Sequence, residues 1–254
     1  MTLENDNAKA KAKPNMEVTI IDERTIRDNI YEVRGVKVML DFELAEIYGY
    51  STSRFNEQVS NNIDKFDDDF MFELNKDEFT ALALEYAKKY NPKLCEAIES
   101  NKQYFADIIN IDREKANPRK DYEKFGNVLD IIGFFYKDGY EAAIKEPLPF
   151  NEKFSKDALI EALNAIKDKL EPNQDEQIWF NDLKEIGVSL NYAASNKDYK
   201  ANPEAFKGNI GDLAEILRIT LTGRKNAPNL CSVMYVLGLE ETHNRIDRVI
   251  SLLK

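Results

Sequence analysis

Residues Lys207–Leu230 read KGNIGDLAEILRITLTGRKNAPNL and carry the pattern that decides the fold of the chain. Apolar residues recur there at three- and four-residue intervals, the spacing of one buried face of an α-helix: Leu213, Ile216, Leu217 and Leu221. Gly223 follows and predicts the end of this helix, because glycine readily adopts the left-handed conformation common at helix ends. Pro228 suits the first turn of a second helix. The stretch therefore predicts two helices joined by a short turn.

Helical periodicity extends over most of the chain after about Phe79. Helix breaks and one helix start are marked by prolines and by a capping serine: Asn91-Pro92, Asn117-Pro118, Pro147, Pro149 and Ser155. Apolar and aromatic side chains dominate Tyr122–Tyr140 and predict a buried hairpin of helices. Gly238 predicts the end of the helix that follows Pro228. The chain beyond residue 79 should therefore be helical, with a linker near residue 150.

The first 79 residues have a different pattern. Residues 1–19 are polar and read as a flexible tail. Apolar residues on both sides of Arg34-Gly35 predict a tight hairpin, and alternation over Phe70–Leu74 predicts one more strand. The predicted fold class is mainly α. A small α+β helix-turn-helix-like module at 20–79 precedes two α-helical domains at 80–150 and 151–254.

Residues Leu44–Val59, LAEIYGYSTSRFNEQV, have the spacing of two helices joined by a tight turn. Ala45 is small where the helices must approach, and Gly49 permits the positive φ of the turn. Leu44, Tyr48 and Phe55 would form the small core beneath. The second helix would expose side chains suited to base edges in the major groove: Arg54, Asn56, Gln58, Asn61 and Asn62. Spacing alone leaves open a solvated helix in an unrelated α+β domain.

Composition limits the classes of function. The formal net charge of −11 argues against nonspecific nucleic-acid binding, because phosphate contacts are made by Lys and Arg. The acid is concentrated in residues 1–80, which hold 10 basic and 18 acidic side chains, against 25 and 28 in the remainder. Cys95, Cys231 and the single histidine, His243, give no metal-site spacing. We expect no metal, no cofactor, no membrane span and a reduced, cytoplasmic protein.

The N-terminal segment resembles a known family. RGV, MLDFELAEIYGY and KFDDDFMFEL, within residues 30–74, are similar to the DNA-binding domain at the N-terminus of phage antirepressor proteins, the KilA-N-like group. The resemblance covers about residues 20–79. It implies DNA binding and transcriptional control, with duplex DNA as the partner.

A second resemblance covers about residues 82–254. EYAKKYNPKLCEAI, INIDREKANPRKDYEKF and the LTGR turn are similar to the anticodon-binding half of bacterial glutamyl-tRNA synthetases. That family implies tRNA as the partner, with glutamate tRNA the expected species. It also implies that Arg218 reads anticodon bases together with an apolar loop tip formed by Ala227, Pro228 and Leu230. Thr222 and Arg224 would add phosphate or sugar contacts.

Catalysis by such synthetases requires HIGH-type and KMSKS-type signatures around ATP, and the 254 residues contain neither. We therefore expect a non-catalytic protein, derived from glutamyl-tRNA synthetase, that binds tRNA through its C-terminal domain. The alternative is a prophage-type transcriptional regulator that binds DNA through the N-terminal module. A third hypothesis is a captured N-terminal segment that no longer binds DNA. In the transcriptional-regulator alternative the helical half would serve as a protein or RNA sensor, and the sequence does not identify a protein partner.

The distribution of basic residues separates the first two hypotheses. The helix near residues 52–64 carries Arg54 among acidic neighbours, whereas several basic residues are candidates to surround Arg218: Lys207, Arg224, Lys225, Arg245 and Arg248. This balance favours RNA over DNA. One alternative stays open, in which Arg218 is a helix-surface residue paired with Glu215 or Glu185.

Overall fold

The computed structural model describes residues 23–67, 70–90, 92–112, 132–145 and 147–254. They belong to two compact units, Met1–Phe66 and Asp67–Lys254. The predicted tail, the Asn117-Pro118 break and most of the predicted hairpin Tyr122–Tyr140 lie outside the described residues. The domain boundaries expected at 79 and 150 stay predictions.

The first unit is a small α+β module. Its elements are α1 (Glu23–Asp28), β1 (Tyr31–Val33), β2 (Val36–Val38), α2 (Asp41–Ile47), α3 (Thr52–Ser60) and a 3-10 turn at Ile63–Lys65. The strands are antiparallel, with Val33 opposite Val36. Arg34 and Gly35 both have positive φ, 55° and 73°, which is the geometry of a type I′ hairpin turn. The predicted hairpin is confirmed.

The core of this module differs from the predicted one. Ala45 is fully buried, together with Tyr31, Val33 and Leu40. The Glu43 carboxylate is buried among them, because it accepts hydrogen bonds from the Tyr31 hydroxyl (2.8 Å) and the Leu40 N–H (3.3 Å). The prediction that Tyr48 belongs to the core is wrong: its side chain is 65% exposed and stacks on Phe55. Leu44 and Phe55 are half-buried.

The described residues of the second unit form helices joined by loops, with one isolated β-bridge between Ala193 and Asn209. Its α-helices are α4 (Lys76–Tyr90), α5 (Pro92–Ser100), α6 (Lys102–Ile109), α7 (Lys137–Ala143), α8 (Lys156–Lys169), α9 (Glu176–Ser189), α10 (Asn196–Ala201), α11 (Ile210–Thr222) and α12 (Leu230–Leu253). Short 3-10 turns lie at Gly133–Phe135 and Pro203–Ala205. The strand predicted at Phe70–Leu74 is wrong, because residues 70–74 pair with no strand in the described part of the chain and Phe70 is 80% exposed.

The helix boundaries predicted at Pro92 and Ser155 are confirmed. Helix α4 ends at Tyr90 and α5 begins at Pro92. The Ser155 hydroxyl caps α8 by accepting a hydrogen bond from the Ala158 N–H at 3.2 Å. The predicted apolar faces of α8, α9, α11 and α12 are buried against one another and form the main core: Leu159, Leu163, Ile166, Leu183, Ile186, Leu213, Leu217, Val233 and Ile246.

Membrane-spanning helices and metal-binding clusters are both absent from the described residues. Within the described residues, no helix is both long and apolar enough to cross a lipid bilayer. Over the same ranges, histidine, cysteine and acidic side chains form no group of three or more that could hold a metal ion.

Candidate nucleic-acid interface

The turn between α11 and α12 begins at a glycine that no other residue could replace without strain. Gly223 has φ 71°, and its N–H donates to the Ile219 carbonyl at 2.7 Å. A Cβ added here would lie 2.5 Å from the Ala143 carbonyl oxygen on α7. The predicted helix end at Gly223 is confirmed, and the turn lies directly against α7.

Side chains inside the turn hold its backbone in place. The buried Thr222 hydroxyl lies 2.8 Å from the Arg218 carbonyl and 3.2 Å from the Arg224 carbonyl, and it accepts from the Arg224 N–H at 3.3 Å. Ala227, Pro228 and Leu230 are also buried. The predicted apolar loop tip is therefore part of the protein interior. The exposed residues of the turn are Lys225 and Asn226.

Arg218 and Arg224 lie on either side of Thr222 and are both half-buried. The Arg224 guanidinium carbon lies 5.8 Å from the centre of the Phe134 ring, a cation–π arrangement. Glu215, one of the partners considered for Arg218, lies 3.4 Å from the Lys225 ammonium. Arg224 is therefore supported by an aromatic ring, and both arginines keep partly accessible surfaces.

The end of α11 is fixed by two residues from other helices. The Tyr140 hydroxyl donates to the Thr220 carbonyl at 2.9 Å, and Arg245 Nη1 donates to the Leu221 carbonyl at 2.6 Å. Arg245 is 1% exposed, so the prediction that it adds surface charge near Arg218 is wrong. Burial raises the pKa of the Tyr140 hydroxyl above its usual value, which keeps this donor protonated at neutral pH.

The end of the turn next to α12 is also held by hydrogen bonds that Asn229 makes. Asn229 caps α12, its side-chain oxygen accepting from the Ser232 N–H at 3.1 Å. The Asn229 N–H donates to the Asp112 carboxylate at 3.2 Å, and its side-chain amide donates to Glu176 at 2.8 Å. Pro228 therefore precedes the cap instead of lying in the first turn of α12. The break predicted at Gly238 is present, with φ 76° and ψ 171° inside α12.

The N-terminal module presents two helices joined by a short turn. Gly49 has φ 69°, and the Tyr50 N–H donates to the Ala45 carbonyl at 2.8 Å. The Ser51 hydroxyl caps α3 by accepting from the Arg54 N–H at 3.3 Å. The small residue and the glycine thus have the local roles predicted from their spacing.

The five candidate DNA-binding residues fall into two groups. Arg54, Gln58 and Asn61 are exposed, and the Arg54 guanidinium lies 5.3 Å from the Tyr50 ring centre. The Asn56 amide instead donates to the Asp41 carboxylate at 2.6 Å. Asn62 donates to the Gln58 carbonyl at 2.8 Å and accepts from Lys65 at 2.6 Å. These two amides hold α3 and its flanking residues together in the structure.

Comparison with known proteins gives two family matches, one in the N-terminal part of the chain and one over most of the rest. Residues 28–107 match the family described as the ORF6N domain. Residues 78–250, more than half of the chain, match the family described as the anticodon binding domain. The chain belongs to the anticodon-binding domain family. Its N-terminal part is an ORF6N domain of the antirepressor type, so both resemblances recognised in the sequence are confirmed.

Curated relatives of the anticodon-binding domain are glutamate–tRNA ligases. The protein of Clostridium beijerinckii is 33% identical over 168 residues, which is 66% of this chain and 30% of the relative. That of Acetivibrio thermocellus is 28% identical over 192 residues, 74% of this chain and 34% of the relative. The chain therefore spans about a third of the length of these relatives. The two family matches share residues 78–107, which include all of α5.

Surface ion pairs on the anticodon-binding domain involve the other predicted basic residues. Lys207 lies 2.6 Å from Glu161, Lys225 lies 3.4 Å from Glu215, and Arg248 lies 3.1 Å from Glu141. All three ion pairs are partly exposed and therefore contribute little to stability. Such cations can exchange a carboxylate for a phosphate when nucleic acid binds.

Proposed function

We propose that this chain binds tRNA through the turn between α11 and α12, without itself catalysing aminoacylation. The observation that carries this proposal is the placement of Arg218 near the end of α11 and of Arg224 at the start of a turn that is anchored at both ends. Rigid anchoring matters because a side chain that is already ordered loses less entropy when it binds. Membership of the anticodon-binding domain family gives the class of ligand.

The chemistry of the turn suits unstacked RNA bases. A guanidinium plane can stack on a base and donate hydrogen bonds to its edges, as in the recognition of single-stranded RNA loops. Lys225 and Asn226 form the accessible tip and supply a cation and an amide. Thr222, Ala227, Pro228 and Leu230 then shape the turn from inside, and base contacts by these four residues stay predictions. Glutamate tRNA in the cytoplasm is the proposed ligand, because the curated relatives are glutamate–tRNA ligases.

Replacing Arg218 with alanine in the full chain should weaken tRNA binding by about 1–3 kcal/mol, the contribution of one base-stacking contact. The measurement is fluorescence anisotropy with a glutamate tRNA transcript and with the same transcript whose anticodon loop is replaced by a tetraloop. Arg27→Ala removes an exposed arginine from α1 and is the matched control. A folded Arg218→Ala protein with unchanged affinity would remove the proposed role of this arginine.

Aminoacylation should be absent when the purified chain is supplied with glutamate, ATP and glutamate tRNA. The physical reason is that its 254 residues contain no HIGH-type or KMSKS-type signature to hold ATP. Labelled glutamate retained on acid-precipitated tRNA is the readout, with the Clostridium beijerinckii ligase as the positive control. Charging above the level without protein would contradict the non-catalytic part of the proposal.

A second candidate function, transcriptional control through DNA binding, is favoured by the ORF6N match over residues 28–107. Here α2 and α3 would act as a helix-turn-helix, with Arg54, Gln58 and Asn61 facing base edges. The acidic neighbourhood is unfavourable: Asp41, Glu46 and Glu57 all lie on these two helices.

Replacing Arg54 with alanine should cost about 1–3 kcal/mol in duplex binding if α3 reads bases. The probe is a random-sequence duplex pool from which bound DNA is selected and sequenced at about 50 mM salt, near the low end of the range in which phosphate contacts are strong. Arg27→Ala is again the control. No enrichment of any duplex by the wild-type chain would favour the third hypothesis, a captured module that no longer binds DNA.

A further inference from the structure

We infer that Arg245 and Tyr140 are positioning residues for tRNA recognition: they hold the last turn of α11 so that Arg218 and Arg224 meet the RNA in a fixed geometry. This inference rests on the proposed function. We call these two residues the α11 clamp. Neither is a proposed RNA contact, since Arg245 is 1% and Tyr140 is 4% exposed.

The clamp supplies hydrogen bonds that the helix itself lacks. The last four carbonyls of an α-helix have no partner within the helix. At the end of α11, the Thr220 carbonyl accepts from the Tyr140 hydroxyl at 2.9 Å and the Leu221 carbonyl accepts from Arg245 at 2.6 Å. A cation at this position is also attracted by the negative end of the helix dipole. Two consecutive terminal carbonyls are thus satisfied by residues of α7 and α12.

The clamp is itself held from several directions. Arg245 Nε donates to Glu241 at 2.7 Å, and Nη2 lies 3.4 Å from the Phe135 carbonyl. The Arg245 guanidinium carbon lies 4.1 Å from the Tyr140 ring centre, which joins the two members of the clamp. A single buried guanidinium therefore connects α11, α12 and the 3-10 turn before α7.

The two carbonyls held by the clamp lie close in the chain to Arg218 and Arg224, the proposed RNA contacts. Thr220 and Leu221 lie between Arg218 and the buried Thr222, whose hydroxyl is within 3.2 Å of the Arg218 and Arg224 carbonyls. Without the clamp, the last turn of α11 would lose its terminal partners and fray. Arg218 and Arg224 would then have to be ordered by the RNA, and the entropy of ordering them would be subtracted from the affinity.

A double-mutant cycle tests this inference in the full chain. The variants are Arg245→Gln, Arg218→Ala and their combination, and the probe is the glutamate tRNA transcript, at a temperature where circular dichroism shows every variant folded. Arg245→Gln alone should raise the Kd about fivefold to thirtyfold, the range of coupling within one hydrogen-bond network. In the Arg218→Ala background the same change should raise the Kd by a clearly smaller factor, because only Arg224 is then left to be positioned.

Two further variants separate positioning from general destabilisation. Val249→Ala removes a fully buried apolar side chain from the same helix without removing a hydrogen-bond donor, and should leave the Kd unchanged. Tyr140→Phe removes only the hydroxyl that donates to Thr220 and should also raise the Kd. It tests the clamp independently if the Arg245→Gln protein is poorly folded.

The outcomes are distinguishable. Wild-type binding that depends on Arg218 but is unaffected by Arg245→Gln and Tyr140→Phe would overturn the positioning role and leave the proposed function intact. Equal losses for Arg245→Gln in both backgrounds would also overturn it. Absence of any tRNA binding by the wild-type chain would instead overturn the proposed function, and the positioning role with it.

Discussion

Replacing Arg245 with methionine should lower the free energy of unfolding of the second unit by about 3–5 kcal/mol, the usual cost of removing one partner from a buried polar network. Methionine keeps most of the buried stem, so the loss reports on the hydrogen bonds. The Leu221 and Phe135 carbonyls would lose their guanidinium donors, and Glu241 would lose its cation.

Urea denaturation followed by tryptophan fluorescence measures this effect cleanly. Trp179 is the only tryptophan of the chain and is 4% exposed in α9, so its emission reports on the second unit. Arg248→Met is the matched control, because it makes the same substitution one turn later on α12, at an exposed pair with Glu141. The control should change the free energy of unfolding far less, because an exposed ion pair contributes little to stability. Similar losses for the two variants would contradict the structural role assigned to Arg245.

Replacing Gly223 with alanine should destabilise the second unit by about 2–6 kcal/mol, because two penalties add. A non-glycine residue at φ 71° costs about 1–3 kcal/mol. The new Cβ would also meet the Ala143 carbonyl at 2.5 Å, and such overpacking costs about 1–3 kcal/mol more. The backbone oxygen cannot rotate away, so α7 and the turn would have to separate.

Gly238→Ala tests backbone strain in the absence of a steric contact. Gly238 also has a positive φ, 76°, but nothing lies within 4 Å of the Cβ position. We expect it to cost about 1–3 kcal/mol, from backbone strain alone. Unfolding of both variants is again followed by Trp179 fluorescence. Because its ψ of 171° places Gly238 in a region nearly restricted to glycine, a larger loss for the Gly223 variant would have to come from the contact with α7. A loss below about 1 kcal/mol for the Gly223 variant would contradict both penalties.

Local patterns predicted the elements of this protein well. Hydrophobic spacing located α8, α9, α11 and α12, and the Arg34-Gly35 pair located the hairpin turn. Gly49 and Gly223 marked turns that do have positive φ. Each of these inferences depends on residues only a few positions apart, where helix periodicity and glycine's backbone freedom act directly. Both family resemblances were likewise recognisable from contiguous stretches.

The environment of individual side chains was less predictable. Tyr48 was predicted to be buried and is exposed, since Tyr31, Val33 and Leu40 occupy the core instead. The strand expected at Phe70–Leu74 needed a partner strand that the described residues do not provide. Ala227, Pro228 and Leu230 were predicted at an apolar loop tip and lie inside the turn. In each case the outcome depends on competition among distant residues for the same interior space.

Arg245 shows the difference between what local sequence patterns predict and what long-range packing determines. The sequence by itself determined that it lies on a helix, four residues after Glu241, and this spacing predicts only a surface ion pair. Its burial follows from long-range packing, because its other hydrogen-bond partners are the carbonyls of Leu221 and Phe135, 24 and 110 residues away along the chain. The residue pattern within one helix does not predict which distant carbonyls will lie beside it. A charged residue becomes part of a core only where packing brings unpaired acceptors to it.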